Sequence, residues 1–321
     1  MTKAYTEELV YTNTAEDGVM LTGVLTRPAT VPAKGIAIVF IHGRPVSGFI
    51  PMMSGHAREI ASHGYAVLTG NTRGHDIGTW LFRQDGKPML GGAWWERVEE
   101  SPRDLDAWIT FTMGLGFRGV VLLGFSFGAF KAIYYQAELA DPRVVGLIAM
   151  SGSVRAARDI KPERVELAEQ MVGDGRGLDL LPWEERGVPW GTTSAGAYVS
   201  RARVNLDVFG VDTPSPRISK VRCPLFVCFG SREEAVGTAA DLEMIRRNAT
   251  SAASVRTQMF EGAEHGFVGH EGAVATAFSR ASPDLAPLVV RIRTSRPWKG
   301  PDEALPLCAR RSLIRSRLKS W

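Results

Sequence analysis

Cysteine is scarce in this chain: Cys223, Cys228 and Cys308 are the whole complement among 321 residues. An odd number cannot pair completely, and no two stand in a C-x-x-C arrangement. A disulfide scaffold and a thiolate-based zinc or redox motif are therefore excluded. Long apolar runs are missing too: a stretch of about eighteen apolar residues, the least that spans a bilayer, occurs nowhere. The opening MTKAYTEELVYTN lacks the basic and then apolar pattern of a secretory leader, so a cytoplasmic protein without a membrane partner is expected. Nor is there a strong excess of one charge, with 38 Lys and Arg against 34 Asp and Glu. The small surplus is uneven. Residues 280–321 hold ten basic and three acidic side chains, which leaves the remainder mildly acidic. A folded nucleic-acid binder needs its basic face on the domain itself, so nucleic acid is not an expected partner.

What remains is a chain that is 45% apolar and 22% charged, long enough to bury a sizeable core. Short apolar runs alternate with helix-like segments. GIAIVFIHG (35–43), YAVLTGN (65–71), GVVLLGF (119–125), VVGLIAMSG (144–152), CPLFVCFG (223–230) and VRTQMFEG (255–262) have no wet face, as expected of central strands covered on both sides. Helices are predicted over 54–63, 102–113, 129–140 and 235–248, with a last one starting near Gly269. The runs 9–14 and 20–27 flank Asp17-Gly18, a hairpin turn signal. This rhythm predicts an α/β fold with a mostly parallel sheet and helices on both faces. Residues 153–220 interrupt it with Trp183, Trp190, Tyr198 and Phe209 among Gly, Pro and Arg, and are expected to form a cap. The expected organisation is a core of 1–152 and 221–282, the cap, and a basic tail of 283–321. Disorder, an arm joining a homodimer, an amphipathic helix and a shifted reading frame all fit the tail's composition.

Gly124-Phe125-Ser126-Phe127-Gly128 stands where a buried strand gives way to a helix. The glycines leave room for a sharp turn that lifts the serine hydroxyl above the sheet edge, and the helix N-terminus favours negative charge there. In this position the motif resembles the nucleophile elbow of the α/β-hydrolase superfamily. The resemblance runs over about residues 8–282 and is weaker towards the small siderophore-esterase-like members. It implies a Ser, acid, His order along the chain. His265, in the loop Glu261–Phe267 after the last strand, is the implied base. The implied acid is Glu233 after PLFVCFG, with Glu234 as its rival and Asp159 as the fallback. A glutamate departs from the aspartate more usual there.

His42-Gly43-Arg44-Pro45 resembles the superfamily's oxyanion loop, where Gly43 lets the backbone approach the substrate. The implied oxyanion donors are the N–H groups of Arg44 and Phe127; the Arg44 side chain could also bind a substrate carboxylate, or be solvated or structurally paired. Asn71-Thr72-Arg73-Gly74 resembles an element that packs under the site, with Arg73 structural and Asp104 a candidate partner. His56 and His63 are assigned surface or capping roles. His75 with Asp76, or His75 with His42, makes a pair of candidate ligands, but no third ligand at helical spacing completes either, so neither a metal nor another cofactor is expected. Trp94, Trp95, Trp183, Trp190 and Tyr198 suggest a pocket for a small apolar or aromatic substrate. The resulting expectation is a serine hydrolase for a carboxylic ester or lactone. The same residues would also serve thioester or C–C bond cleavage, and a binding protein on a hydrolase scaffold is the rival from another class.

Overall fold

Strands that are apolar on both faces need a covering layer on each side, and the structure supplies two. A computed structural model describes residues 5–12, 15–29, 33, 35–183 and 192–285, with side chains up to residue 279. Strands β1 (Tyr5–Thr12), β2 (Leu21–Pro28), β3 (Ile36–Ile41), β4 (Ala66–Gly70), β5 (Thr79–Phe82), β6 (Pro88–Gly91), β7 (Gly119–Phe125), β8 (Val144–Met150), β9 (Leu225–Gly230) and β10 (Val255–Phe260) are joined by helices α1 (Pro51–Ser62), α2 (Ser101–Gly114), α3 (Phe127–Leu139), α4 (Pro162–Gly173), α5 (Ala195–Val204), α6 (Ala239–Asn248) and α7 (Glu271–Leu285). Eight strands form one sheet in the order β1-β2-β4-β3-β7-β8-β9-β10, and β5 and β6 form a separate hairpin. From β4 to β10 neighbouring strands run parallel; β2 is antiparallel to both β1 and β4.

The two-residue period of the strands divides the core. Ala37, Val39 and Ile41 of β3, Val120 and Leu122 of β7, and Leu225, Val227 and Phe229 of β9 join the layer that holds Trp108, Ile133 and Ile245. The alternating Ile38 and Phe40, Val121 and Leu123, and Phe226 and Cys228 join the opposite layer, with Met53 and Ile60 of α1 and Val274 and Phe278 of α7. Proline in the first turn starts α1, α2 and α4, where its missing N–H costs no helical hydrogen bond. Ser194 caps α5, and Thr238 with Asp241 forms a reciprocal cap on α6.

Several expectations change. The first hairpin pairs Thr12 with Leu21, so its connection is longer than a turn at Asp17-Gly18. Residues 77–101 contain the β5–β6 hairpin, which the sequence reading passed over. His56 is 1% exposed and not on the surface. The interval 153–220 leaves β8 and returns at β9, carrying α4 and α5; its residues 184–191 lie outside the described residues, as does the tail beyond Leu285.

Arg73 is fully buried and fixes the floor under the strand ends. Its Nη2 donates to Asp104 Oδ1 at 2.8 Å, its Nη1 to Asp17 at 2.8 Å and to Glu100 at 3.2 Å, and its own N–H to Asp104 Oδ2 at 2.8 Å. One guanidinium thereby ties the β4 exit, the β1–β2 connection and α2. Removing Asp104 takes away the one fully buried carboxylate of this cation and leaves it only the partly exposed Asp17 and Glu100. The Asp104→Ala variant is expected to lose about 3–5 kcal/mol of stability, read from urea denaturation.

The same network sets an acid limit. Burial alone raises the Asp17 carboxyl, but the Arg73 and Arg103 guanidinium groups override it and hold it below the ordinary value. Burial likewise raises Asp207, and hydrogen bonds from the N–H groups of Asp212, Val211 and Gly210 reverse the direction. A carboxyl whose folded pKa is depressed contributes stability that is present above its unfolded value and lost as pH falls through the folded one. The denaturation midpoint is therefore expected to fall steadily from about pH 5 to about pH 3. A flat profile over that interval would contradict these assignments.

Candidate active site

The turn from β7 into α3 leaves no room for side chains beside the serine. A Cβ at Gly124 would lie 2.1 Å from the Gly128 carbonyl oxygen, and one at Gly128 would lie 2.3 Å from the Ile41 oxygen. Ser126 takes φ 54° and ψ −120°, a left-handed conformation rare for a residue with a side chain. Strain of this kind costs about 1–3 kcal/mol and persists only where the surroundings over-determine it. Here the Ser126 N–H donates to Met150 O at 2.8 Å and Ala129 N–H donates to Ser126 O at 3.0 Å.

His265 lies in the loop between β10 and α7, its ring 4.9 Å from that of Phe125, the residue before the serine. Its Nδ1 stands 2.7 Å from Oε2 of Glu233. The carboxylate accepts from Nδ1–H, leaving the Nε2 lone pair free. Glu233 is buried, with Oε1 accepting from Ser151 Oγ and from Gly230 N–H at 2.6 Å each. Both oxygens are thus held, which fixes the imidazole they orient. Glu234 is exposed, as is Asp159, and neither is bonded to His265. A further residue supports the loop: His56 Nε2–H donates to Gly266 O at 3.0 Å, and burial keeps this imidazole below its ordinary pKa and therefore neutral.

The end of β3 faces the serine closely. A Cβ on Gly43 would come 2.7 Å from Ser126 Cβ and 3.1 Å from its Oγ. Neither Arg44 N–H nor Phe127 N–H has an acceptor among the described residues. The loop is braced by His42, which is wholly buried. Its Nδ1–H donates to Gly43 O at 2.7 Å and its Nε2 accepts from Thr72 N–H at 3.0 Å. Burial, then the nearby Lys131 charge, holds His42 well below its ordinary pKa. Lys131 in turn donates to Thr72 Oγ1 at 2.8 Å and pairs with Glu96 at 2.6 Å.

The aromatic residues expected in a pocket are distributed differently. Trp95 Nε1–H donates to Leu178 O at 2.9 Å, and Trp94 O accepts from Ser194 N–H and Thr193 Oγ1, so both join the main domain to the 153–220 interval. Tyr198 is buried with its hydroxyl accepting from Lys161 N–H at 2.9 Å. Trp183 is 54% exposed, and Trp190 lies outside the described residues. Among the described residues no three His, Cys, Asp or Glu side chains are grouped to hold a metal ion. No helix among them is long and apolar enough to cross a membrane.

Residues 38–277 match the model of the alpha/beta hydrolase family. The chain belongs to that family. Solved structures share its fold at low identity. Est1E from Butyrivibrio proteoclasticus is 17% identical, with a TM-score of 0.59 over 87% of this chain and 99% of its own. GrgF from Penicillium sp. sh18, an alpha/beta hydrolase, is 16% identical, with a TM-score of 0.62 over 88% and 98%. The Pyrococcus furiosus esterase Pf2001 is 17% identical, with a TM-score of 0.56 over 87% and 91%. No curated protein matches the sequence significantly.

Sequence reasoning missed three members of this hydrolase site. His42 was noticed only as part of the loop, although a histidine inside a uniformly apolar strand end signals a buried hydrogen-bonding role. Lys131 stands four residues after Phe127 on the same helix face, and that inward position was the available signal. Glu96 had no local signal, since its pairing with Lys131 depends on the long connection between β4 and α2. The geometry separates the two candidate acids sharply. Glu233→Gln is expected to lower kcat by about ten-thousand-fold through loss of imidazole orientation. Glu234→Gln is expected to remain within about threefold of the parent, and ester kinetics on both variants distinguish them.

Proposed function

We propose that the protein is a serine hydrolase that cleaves a carboxylic ester or lactone through an acyl-enzyme. The observation that carries this reading is the 2.7 Å hydrogen bond between buried Glu233 and His265, beside a strained Ser126. Nε2 of His265 takes the proton of Ser126 as Oγ attacks the acyl carbon. The imidazolium that forms is stabilised by Glu233 and returns its proton to the leaving alcohol. The N–H groups of Arg44 and Phe127, which lack acceptors among the described residues, receive the negative charge that develops on the carbonyl oxygen. Water, activated by the same histidine, then attacks the acyl-enzyme. For a lactone the leaving alcohol stays tethered to the acyl group through both steps, and the second step frees a single hydroxy acid.

The esterase neighbours support the chemistry at the level of fold, and Est1E is described with ferulic acid bound, an aromatic acid. Residues 153–220 are read as a cap over the strand ends. The hydrogen bonds that Trp94 and Trp95 make to it support this role. A fluorophosphonate probe is expected to label Ser126. Ser126→Ala is expected to lose about a million-fold in kcat with little change in thermal stability. A panel of aryl esters, lactones and thioesters identifies the bond cleaved. Retention of most activity by Ser126→Ala would overturn the reading.

A further inference from the structure

Among the described residues, two arginines beside the oxyanion loop have no anion to pair with. Arg44 follows Gly43, the residue that abuts Ser126. Its Nη2 donates to Ala93 O at 2.7 Å and its guanidinium stands 5.6 Å from the Phe127 ring centre, while its Nε is buried with no acceptor among the described residues. Arg201 stands on α5, its guanidinium 5.7 Å from the ring centre of buried Tyr198 and within reach of the Arg44 charge. That helix is fixed against the segment carrying Ala93 and Glu96. Ser194 N–H donates to Trp94 O at 2.8 Å, and Val98 N–H donates to Ser200 Oγ at 2.7 Å.

Within ion-pair distance, among the described residues, neither arginine meets a carboxylate. Glu96 is the buried carboxylate nearby, and Lys131 occupies it at 2.6 Å. Asp159 is exposed and attracts Arg201 only from a distance. Burial, followed by the like charge of Arg44, presses the Arg201 guanidinium well below its ordinary range. Both side chains are half-buried, so each keeps a part open to a small ligand. Stacking on Tyr198 accounts for one face of Arg201 but leaves its N–H donors without a hydrogen-bond partner among the described residues. Trp94 Nε1, next to the residue that holds Arg44, is another buried donor with no acceptor among the described residues. Uncompensated charge of one sign, withdrawn from water, is costly unless an anion completes it.

We propose that Arg44 and Arg201 form an anion subsite beside the oxyanion hole, and that the substrate is an ester or lactone carrying a carboxylate close to the scissile carbonyl. This rests on the reading of Ser126 as the nucleophile. A planar carboxylate suits two guanidinium forks, which bind it through paired hydrogen bonds.

The test compares size-matched esters on the full-length protein: p-nitrophenyl hemiglutarate against p-nitrophenyl valerate, and 4-acetoxybenzoate against phenyl acetate. The first pair places the carboxylate on the acyl side, the second on the alcohol side. In at least one pair, kcat/KM is expected to favour the anionic member by about tenfold or more. Arg201→Gln is expected to abolish that preference, and Arg201→Lys to restore part of it. Turnover of both pairs without any preference for the anion overturns the subsite and leaves the hydrolase standing. A preference that survives in folded Arg201→Gln also overturns it. Failure to turn over any of the four esters, with Ser126 unlabelled, overturns the hydrolase reading and the subsite together. The wild-type comparison decides the matter even if the variants do not fold.

Discussion

The site depends on how closely the start of α3 approaches the end of β3. The Ile41 and His42 carbonyl oxygens occupy the space a Cβ on Gly128 would need, lying 2.3 and 2.6 Å from that position. At the other side of the turn, Gly43 meets Ser126 with no space for a further methyl group. Packed in this way, Ser126, Gly43 and the first N–H of α3 hold their mutual positions before a substrate arrives. Donors fixed in advance cost no reorganisation when charge develops, which is where acyl transfer gains most. The strained backbone of Ser126 is the local cost of that arrangement. The parallel strands around it, buried on both faces, make the distortion rigid and not merely tolerated.

The buried charges fall into groups that differ in how completely they are satisfied. Arg73 meets Asp104, Asp17 and Glu100, and it ties three segments of chain without facing the serine. Lys131, Glu96, Thr72 and His42 form a second chain of bonds that ends on the Gly43 carbonyl. Its members are used by one another, so its role is to hold the loop at Gly43. Arg44 and Arg201 differ because their guanidinium groups lack carboxylates among the described residues. Complete satisfaction marks a charge as architectural, while an orphaned charge near reacting groups points to a ligand.

Much of this was legible in particular residues. The runs GIAIVFIHG and GVVLLGF announced central strands because they lack polar alternation, and both are wholly internal in the sheet. Gly124 and Gly128 announced the elbow because only a residue without a Cβ fits there. Other features were hidden for physical reasons. The choice between Glu233 and Glu234 turns on the conformation of a short loop, which neighbouring identical residues cannot reveal. The β5–β6 hairpin is short and partly exposed, so its strands carry little of the apolar signal by which strands are recognised. His56 resembled a surface residue because its partner, Gly266 O, lies far along the chain. That Arg201 meets no carboxylate among the described residues was likewise beyond sequence reading, since pairing is a property of three-dimensional neighbours.

The central claim is that Ser126 carries the acyl group during turnover, and the sequence offers a clean way to observe it. Trypsin cleavage after Arg118 and Lys131 releases GVVLLGFSFGAFK, in which Ser126 is the sole hydroxyl or thiol side chain. Acid quenching during steady turnover of an aryl ester, followed by digestion and mass spectrometry, reports directly on that peptide. The account predicts that the peptide gains the mass of the acyl group and loses it once substrate is exhausted. Sustained turnover with this peptide unmodified at every time, and the acyl mass found on another segment, would contradict it.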